Sequence, residues 1–223
     1  MDISELGLHS PGPVAEQLTD QVLSASTVAV YGRAKGLHHF RASTALRRLW
    51  ISGVEAAAAD VLGGLSRLEA LVIQDLRIAD LHAFASLDGL RELAIAGSPK
   101  LKSLSGLERM RGLKRLILFD NCNYPDIAAL AALTEVETLC LEGGFSKQLR
   151  LPTLEPLVGL RNLRRLRLAS VRVADGSLRP LLKLAALQQV FINKGFPPSE
   201  FRTLAAALPN ARGEFLDTFR DAG

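Results

Sequence analysis

Only two cysteines occur in the 223 residues, Cys122 and Cys140, and they stand apart without a CxxC or any other metal-ligand spacing. That scarcity excludes a disulfide scaffold and suits a reducing compartment. Aromatic residues make up only 5% of the chain, with a single tryptophan, Trp50. No run approaches the roughly 18 consecutive apolar residues of a transmembrane helix. The opening stretch, MDISELGLHSPGPVAEQLTD, carries acids early and lacks a basic n-region and an apolar h-region, so it does not read as a signal peptide. No Asn-x-Ser/Thr sequon is present. These absences set the expectation of a soluble cytoplasmic protein without a membrane partner.

Catalytic signatures are missing as well. No G-x-S-x-G, P-loop or G-x-G-x-x-G occurs, and Gly63-Gly64 and Gly143-Gly144 read as turn glycines. His38-His39 is the one histidine pair, and no H-x-x-x-H or H-E-x-x-H follows it, so it reads as a solvated pair in a turn. Cys140 has no histidine in its own or neighbouring segments to activate it. The expectation is a non-enzymatic protein with no cofactor and no metal.

What the chain has is leucine, 42 of 223 residues, within a hydrophobic content of 48%. The leucines recur in one phrase: apolar, two variable residues, apolar, one variable residue, apolar. It appears as Leu46-x-x-Leu49-x-Ile51, Leu68-x-x-Leu71-x-Ile73, Leu90-x-x-Leu93-x-Ile95 and Leu113-x-x-Leu116-x-Leu118. Val136-x-x-Leu139-x-Leu141, Leu163-x-x-Leu166-x-Leu168 and Leu187-x-x-Val190-x-Ile192 complete the clear set. Successive starts lie 22, 22, 23, 23, 27 and 24 residues apart. A degenerate copy, Ala25-x-x-Val28-x-Val30, precedes them, and another is expected around Phe215 and Leu216. The phrase alternates as a short strand does. The rest of the period, as in Leu76, Ile78, Leu81, Phe84 and Leu87, returns along the other side as a 3₁₀ or short helical stretch. No single unit buries its own leucines, so the units must stack.

Residues 46–189 thereby resemble the leucine-rich repeat family, in its short class of about 22 residues that is also seen in internalins. The resemblance implies an α/β solenoid: a curved parallel β-sheet on the concave face, with 3₁₀ and short helices on the convex face. A helical solenoid, with repeats of about 33–47 residues, would not show the strand phrase. The chain departs from the family at the asparagine position of each turn, where Val54, Leu76, Ser98, Asn121, Gly144 and Val171 stand. Only Asn121 matches, so backbone or water must satisfy most turns, and the solenoid should be less regular.

The organisation expected is one domain over 1–223, with an N-terminal cap at 1–24, about eight repeats over 25–192 and a C-terminal cap at 193–223. Pro13 to Leu23 reads as a short helix with Val14, Leu18 and Val22 on one face, and Ser199 as the N-cap of a helix over FRTLAAAL. Three segments break the period: Ser98–Lys100, Asn121–Pro125 and Gly143–Pro152. All follow strand ends and so gather on one rim, where loops on a rigid scaffold often carry function.

Strand alternation points the variable positions of each phrase toward solvent on the concave face. The central column reads Ala29, Trp50, Val72, Ala94, Ile117, Cys140, Arg167, Phe191 and then Phe215. Trp50, Val72, Ile117, Phe119 and Phe191 would make an exposed apolar patch, which marks an interaction site. Arg48, Arg115, Arg165 and Arg167 lie around it, and aromatic anchors with arginines are the residue types of interface hot spots. These nine residues are the candidate partner-binding set. The function expected is recognition of another protein, with an acidic surface, through the concave face. An inhibitor or neutraliser of a toxic or enzymatic partner is a specific version of it. A nucleic-acid scaffold ranks behind, because Glu69, Glu92, Glu137 and Glu142 share the surface and lysines number 7 against 20 arginines.

Overall fold

The computed structural model describes residues 8–121 and 123–221. Each repeat phrase forms a strand: β1 (Thr27–Tyr31), β2 (Arg48–Val54), β3 (Ala70–Leu76), β4 (Glu92–Ala96), β5 (Arg115–Phe119) and β6 (Thr138–Glu142). After a short β7 (Leu149–Leu151), the series continues with β8 (Arg165–Ala169), β9 (Val171–Val173) and β10 (Gln189–Ile192). Eight of them build one parallel sheet in the order β1-β2-β3-β4-β5-β6-β8-β10. The register aligns the phrases, Leu49 with Leu71, Leu71 with Leu93, Leu93 with Leu116, and onward to Val190 with Leu166. Leucines one period apart therefore lie side by side, and one continuous buried cluster runs from Val28 to Leu216.

On the opposite side the chain returns through 3₁₀ turns, such as His82–Phe84, Leu107–Arg109, Ala128–Ala132 and Glu155–Gly159. One return is an α-helix, at Ala56–Gly63, where the run Ala56-Ala57-Ala58-Ala59 favours the wider helix. Gly63 is needed there: a Cβ would sit 1.8 Å from the Ala83 carbonyl oxygen of the next repeat. The sheet, the returns and the order of the layers are those of a leucine-rich repeat solenoid.

The turns after the strands show how the missing asparagines are replaced. Gly53, Asp75, Gly97, Asp120 and Ser170 occupy equivalent places and all have φ between 50° and 75°. The left-handed residue turns the chain at the strand end, and main-chain bonds then run from one repeat to the next. Leu76 N donates to Gly97 O, Gly97 N to Phe119 O, Asn121 N to Glu142 O and Gly143 N to Ala169 O. At the asparagine position Val54, Leu76 and Val171 are buried and simply extend the core. Asn121 is the exception, its amide donating to Ile95 O and Phe119 O at 2.9 Å each and accepting from Ser98 Oγ.

Both ends of the sheet are covered, the far end by the expected helix over FRTLAAAL, though the details differ from the expectation. The helix read over Pro13–Leu23 is confined to Asp20–Ser24, capped by Thr19. Before it the chain is extended, and Ala15 bridges in parallel to Val30, its N–H donating to Ala29 O. At the far end, α-helices at Pro198–Ala207 and Glu214–Asp221 pack together. The first is entered through Pro197 and Pro198 rather than capped by Ser199, because proline already carries the helical φ and its missing N–H costs nothing at that position. The further strand expected near Phe215 shrinks to a single bridge, Arg212 to Gln189, and Phe215 lies in the last helix. Phe196, Phe201, Phe215 and Phe219 form an aromatic cluster at that end, with centroids 5.5–6.3 Å apart.

Candidate protein-binding face

Strand alternation places the candidate side chains on the concave side, yet most of the central column is not exposed. Ala29, Trp50, Ala94, Ile117, Cys140 and Arg167 are buried, Ile117 and Cys140 completely. Val72, Phe119 and Phe191 are half-buried. The expectation of an open apolar patch is thus corrected, and the reason lies outside the repeats.

Residues 8–15 cross the concave face. The carbonyl oxygen of Leu8 accepts two hydrogen bonds from neighbouring strands, from Trp50 Nε1 at 3.0 Å and from Gln74 Nε2 at 2.9 Å. The Leu8 side chain joins Ala94, Ile117 and Cys140 in an apolar cluster separate from the main core, against which Val72, Ala96 and Phe119 pack. From there the chain turns at Ser10–Gly12 and reaches the edge of β1 at Ala15. Residues 9–14 are exposed or half-buried, so the segment is anchored at its two ends and little between.

Two arginines of the face are matched to acids on nearby strands. Arg167 Nε lies 2.8 Å from Glu142 Oε2 with both side chains under 15% exposed, and its guanidinium sits 4.2 Å above the Phe191 ring. Arg48 pairs with Glu92 at 3.0 Å in the open, where screening leaves an ion pair little energetic value. Arg165 remains exposed, Nε donating to Thr138 Oγ1 at 3.1 Å, and Arg115 is half-buried. Along the rim at the strand starts, Arg67, Arg91, Arg111, Arg161 and Arg164 are exposed. Trp50 is buried and one face of Phe191 carries Arg167, so neither ring is open for a nucleic-acid base to stack on.

The buried Cys140 thiol is pushed up to about 12, first by loss of solvation and then by the Glu142 carboxylate, with Arg167 and Arg115 opposing. A thiol held protonated in this way is a poor nucleophile. Among the described residues no three histidine, cysteine or acidic side chains gather to hold a metal. His38 and His39 are exposed in the 3₁₀ stretch Leu37–Ala42, as the sequence suggested. No helix among the described residues is long and apolar enough to cross a membrane.

The nine candidate residues therefore divide. Trp50, Val72, Ile117 and Phe119 come together around Leu8, Arg167 and Phe191 come together in an internal stack, and Arg48, Arg115 and Arg165 line the same face. Sequence reasoning missed Leu8 and Gln74 at the centre, and Phe145, the one large hydrophobic residue fully exposed among those described, on the rim loop after β6. A signal existed for Phe145 in the 27-residue repeat. None existed for Leu8, which lies outside the period.

No protein-family model matches the chain, and no curated protein matches it. Solved structures do resemble it. An internalin C2 from Listeria monocytogenes is 24% identical, over 71% of this chain and 72% of that one, with a TM-score of 0.56. An internalin (inlF) from the same species is 17% identical, over 78% and 62%, with a TM-score of 0.50. A plant peptide hormone receptor, RGFR1, solved in complex with RGF2, is 17% identical over 79% of this chain and 30% of the receptor, with a TM-score of 0.60. At these identities the likeness establishes the leucine-rich repeat fold.

Proposed function

We propose that the protein recognises another protein through the concave face of its solenoid, without catalysis. The observation that carries this reading is the way the face holds Leu8. Two side-chain donors on adjacent strands take one backbone carbonyl, above a floor of small and apolar residues that takes the side chain. That is how a surface grips an extended polypeptide: donors meet the main chain while a pocket selects the side chain. The leucine-rich repeat fold is a protein-interaction scaffold in general, which agrees. The exposed cations Arg165, Arg164, Arg161 and Arg91 along the face and its rim favour a partner with an acidic surface, chiefly by steering its approach. Neutralising an enzymatic or toxic partner would use the same contacts.

The test is affinity capture with paired charge reversals, on lysate of the source cells. Arg48→Glu with Arg165→Glu should abolish capture of whatever the parent chain retains, while Arg179→Glu with Lys183→Glu on the convex side should leave it intact. Capture that survives the concave reversals and fails with the convex pair would overturn the reading.

A further inference from the structure

Leu8 fills the very place where the face grips a chain, and this carries an inference that deepens the proposed function and rests on it. We propose that residues 8–14 are a removable occupant of a peptide-binding groove, and that the partner displaces them with an extended segment bearing a leucine-sized side chain. Three observations support it.

The first is that the groove is built and specific. Its donors, Trp50 Nε1 and Gln74 Nε2, belong to β2 and β3, and its floor residues, Ala94, Ile117 and Cys140, belong to β4, β5 and β6. Four of these positions fall between core residues of the repeat phrase and Gln74 follows one, so the rigid sheet holds them with or without an occupant. Ile117 and Cys140 would be apolar surface in water if nothing covered them, which keeps an empty groove poorly populated.

The second is that the occupant is weakly held. Between Leu8 and the Ala15–Val30 bridge no residue is buried, and the segment contains Pro11, Gly12 and Pro13. Few buried contacts and an exposed backbone mark the low-stability end of a structure, the part that opens while the rest stays folded. Its ends also differ in role. The Ala15 bridge covers the open edge of β1, whereas Leu8 lies over β2 to β6 in the interior of the sheet and covers no sheet edge.

The third is charge. The sequence leading to Leu8, Asp2-Ile3-Ser4-Glu5-Leu6-Gly7, is acidic and apolar, and its structure lies outside the described residues. The same face carries Arg48 on β2, Arg115 on β5 and Arg165 on β8. A partner peptide of the same chemistry, leucine with nearby acids, matches the groove and its arginines together. Because the occupant must leave before the partner enters, apparent affinity falls by the fraction of time the groove is open.

The test uses the full chain in a Cys122→Ser background, which leaves Cys140 as the one thiol beside the one tryptophan. Leu8→Asp should raise both the acrylamide quenching of Trp50 and the rate of Cys140 with a thiol reagent, the latter by about tenfold or more. Leu8→Ala should move both in the same direction and Leu8→Ile should leave both near the parent, so a folding defect in one variant does not decide the outcome. A fluorescein-labelled peptide spanning residues 1–15 should then bind the Leu8→Asp chain about tenfold or more tighter than the parent. The same peptide carrying Leu8→Asp should not bind. Unchanged quenching and thiol rates in all three variants, or a peptide that binds opened and parent chains alike, would overturn the inference. None of these readouts uses a captured partner, so their failure is distinct from survival of capture in the charge-reversal assay.

Discussion

The indole Nε1 of Trp50 donates to the carbonyl oxygen of Leu8 at 3.0 Å, joining the only tryptophan of the sheet to a residue 42 positions earlier and outside the repeat. The bond explains why a tryptophan stands at a strand position that alternation turns away from the core. Its ring covers sheet, and its one polar atom finds an acceptor in a segment that arrives from elsewhere. Gln74 on the next strand meets the same oxygen at 2.9 Å, so the acceptor uses both lone pairs.

Shared use of one oxygen predicts non-additive energetics. Trp50→Phe keeps the ring and removes the donor, and Gln74→Ala removes the other. Each single change leaves the carbonyl one partner and should cost about 0.5–1.5 kcal/mol. The double variant leaves it none and should cost more than the sum, with a coupling of about 0.5 kcal/mol or more. Urea unfolding of the four chains closes the cycle, and simple additivity would mean that the two bonds do not share an acceptor in solution.

Glu142 and Arg167 form the least exposed ion pair of the face. Glu142→Gln leaves the Arg167 guanidinium buried against Phe191 with a neutral partner, and should cost about 1–3 kcal/mol. Glu92→Gln, which strips the exposed Arg48 of its partner, should cost less than about 1 kcal/mol. Thermal unfolding of both variants in low and high salt checks the contrast, since only the second should vanish with salt.

The turn column offers a test of backbone strain. Asp120 sits at φ 53° and Gly97 at φ 70° in equivalent places. Asp120→Gly should stabilise by a few tenths to about 1 kcal/mol, and Gly97→Ala should destabilise by about 1 kcal/mol, because a Cβ is disfavoured in the left-handed region. Opposite signs from denaturant midpoints would establish that the column, not the asparagine position, shapes these turns.

Much of this was legible because the repeat writes its own register. Leu49, Leu71, Leu93, Leu116, Leu139 and Leu166 are spaced so that stacking alone aligns the strands, and every one is buried as that spacing requires. The small or polar column Gly53, Asp75, Gly97, Asp120 and Ser170 is equally present in the sequence but lies one place before the asparagine position of the family pattern. What could not be read was the cover. Alternation says that Ile117 and Cys140 turn away from the repeat core, and they do. It cannot say that Leu8, more than 100 residues earlier, lies over them, because a single apolar residue beyond the period carries no register. Exposure on the concave face thus depends as much on that cover as on the alternation.

Cys140 gives the last prediction, through its proton. Burial and Glu142 raise its thiol to about 12 in the folded chain, whereas an unfolded cysteine ionises near 9. The folded state thus binds the thiol proton more tightly than the unfolded state. The sign follows: this contribution is fully present below about pH 9 and is lost as pH climbs from there toward 12. Lysines and tyrosines titrate in the same window, so the measurement must be differential. Stability of the parent and of Cys140→Ala, each from urea unfolding at steps between pH 7 and pH 10.5, should differ by a constant amount up to about pH 8.5. Above that the parent should lose stability faster, and the gap between the two chains should narrow. A gap that stays constant across the window would show that Cys140 ionises alike in both states, and so that water reaches the thiol beneath Leu8.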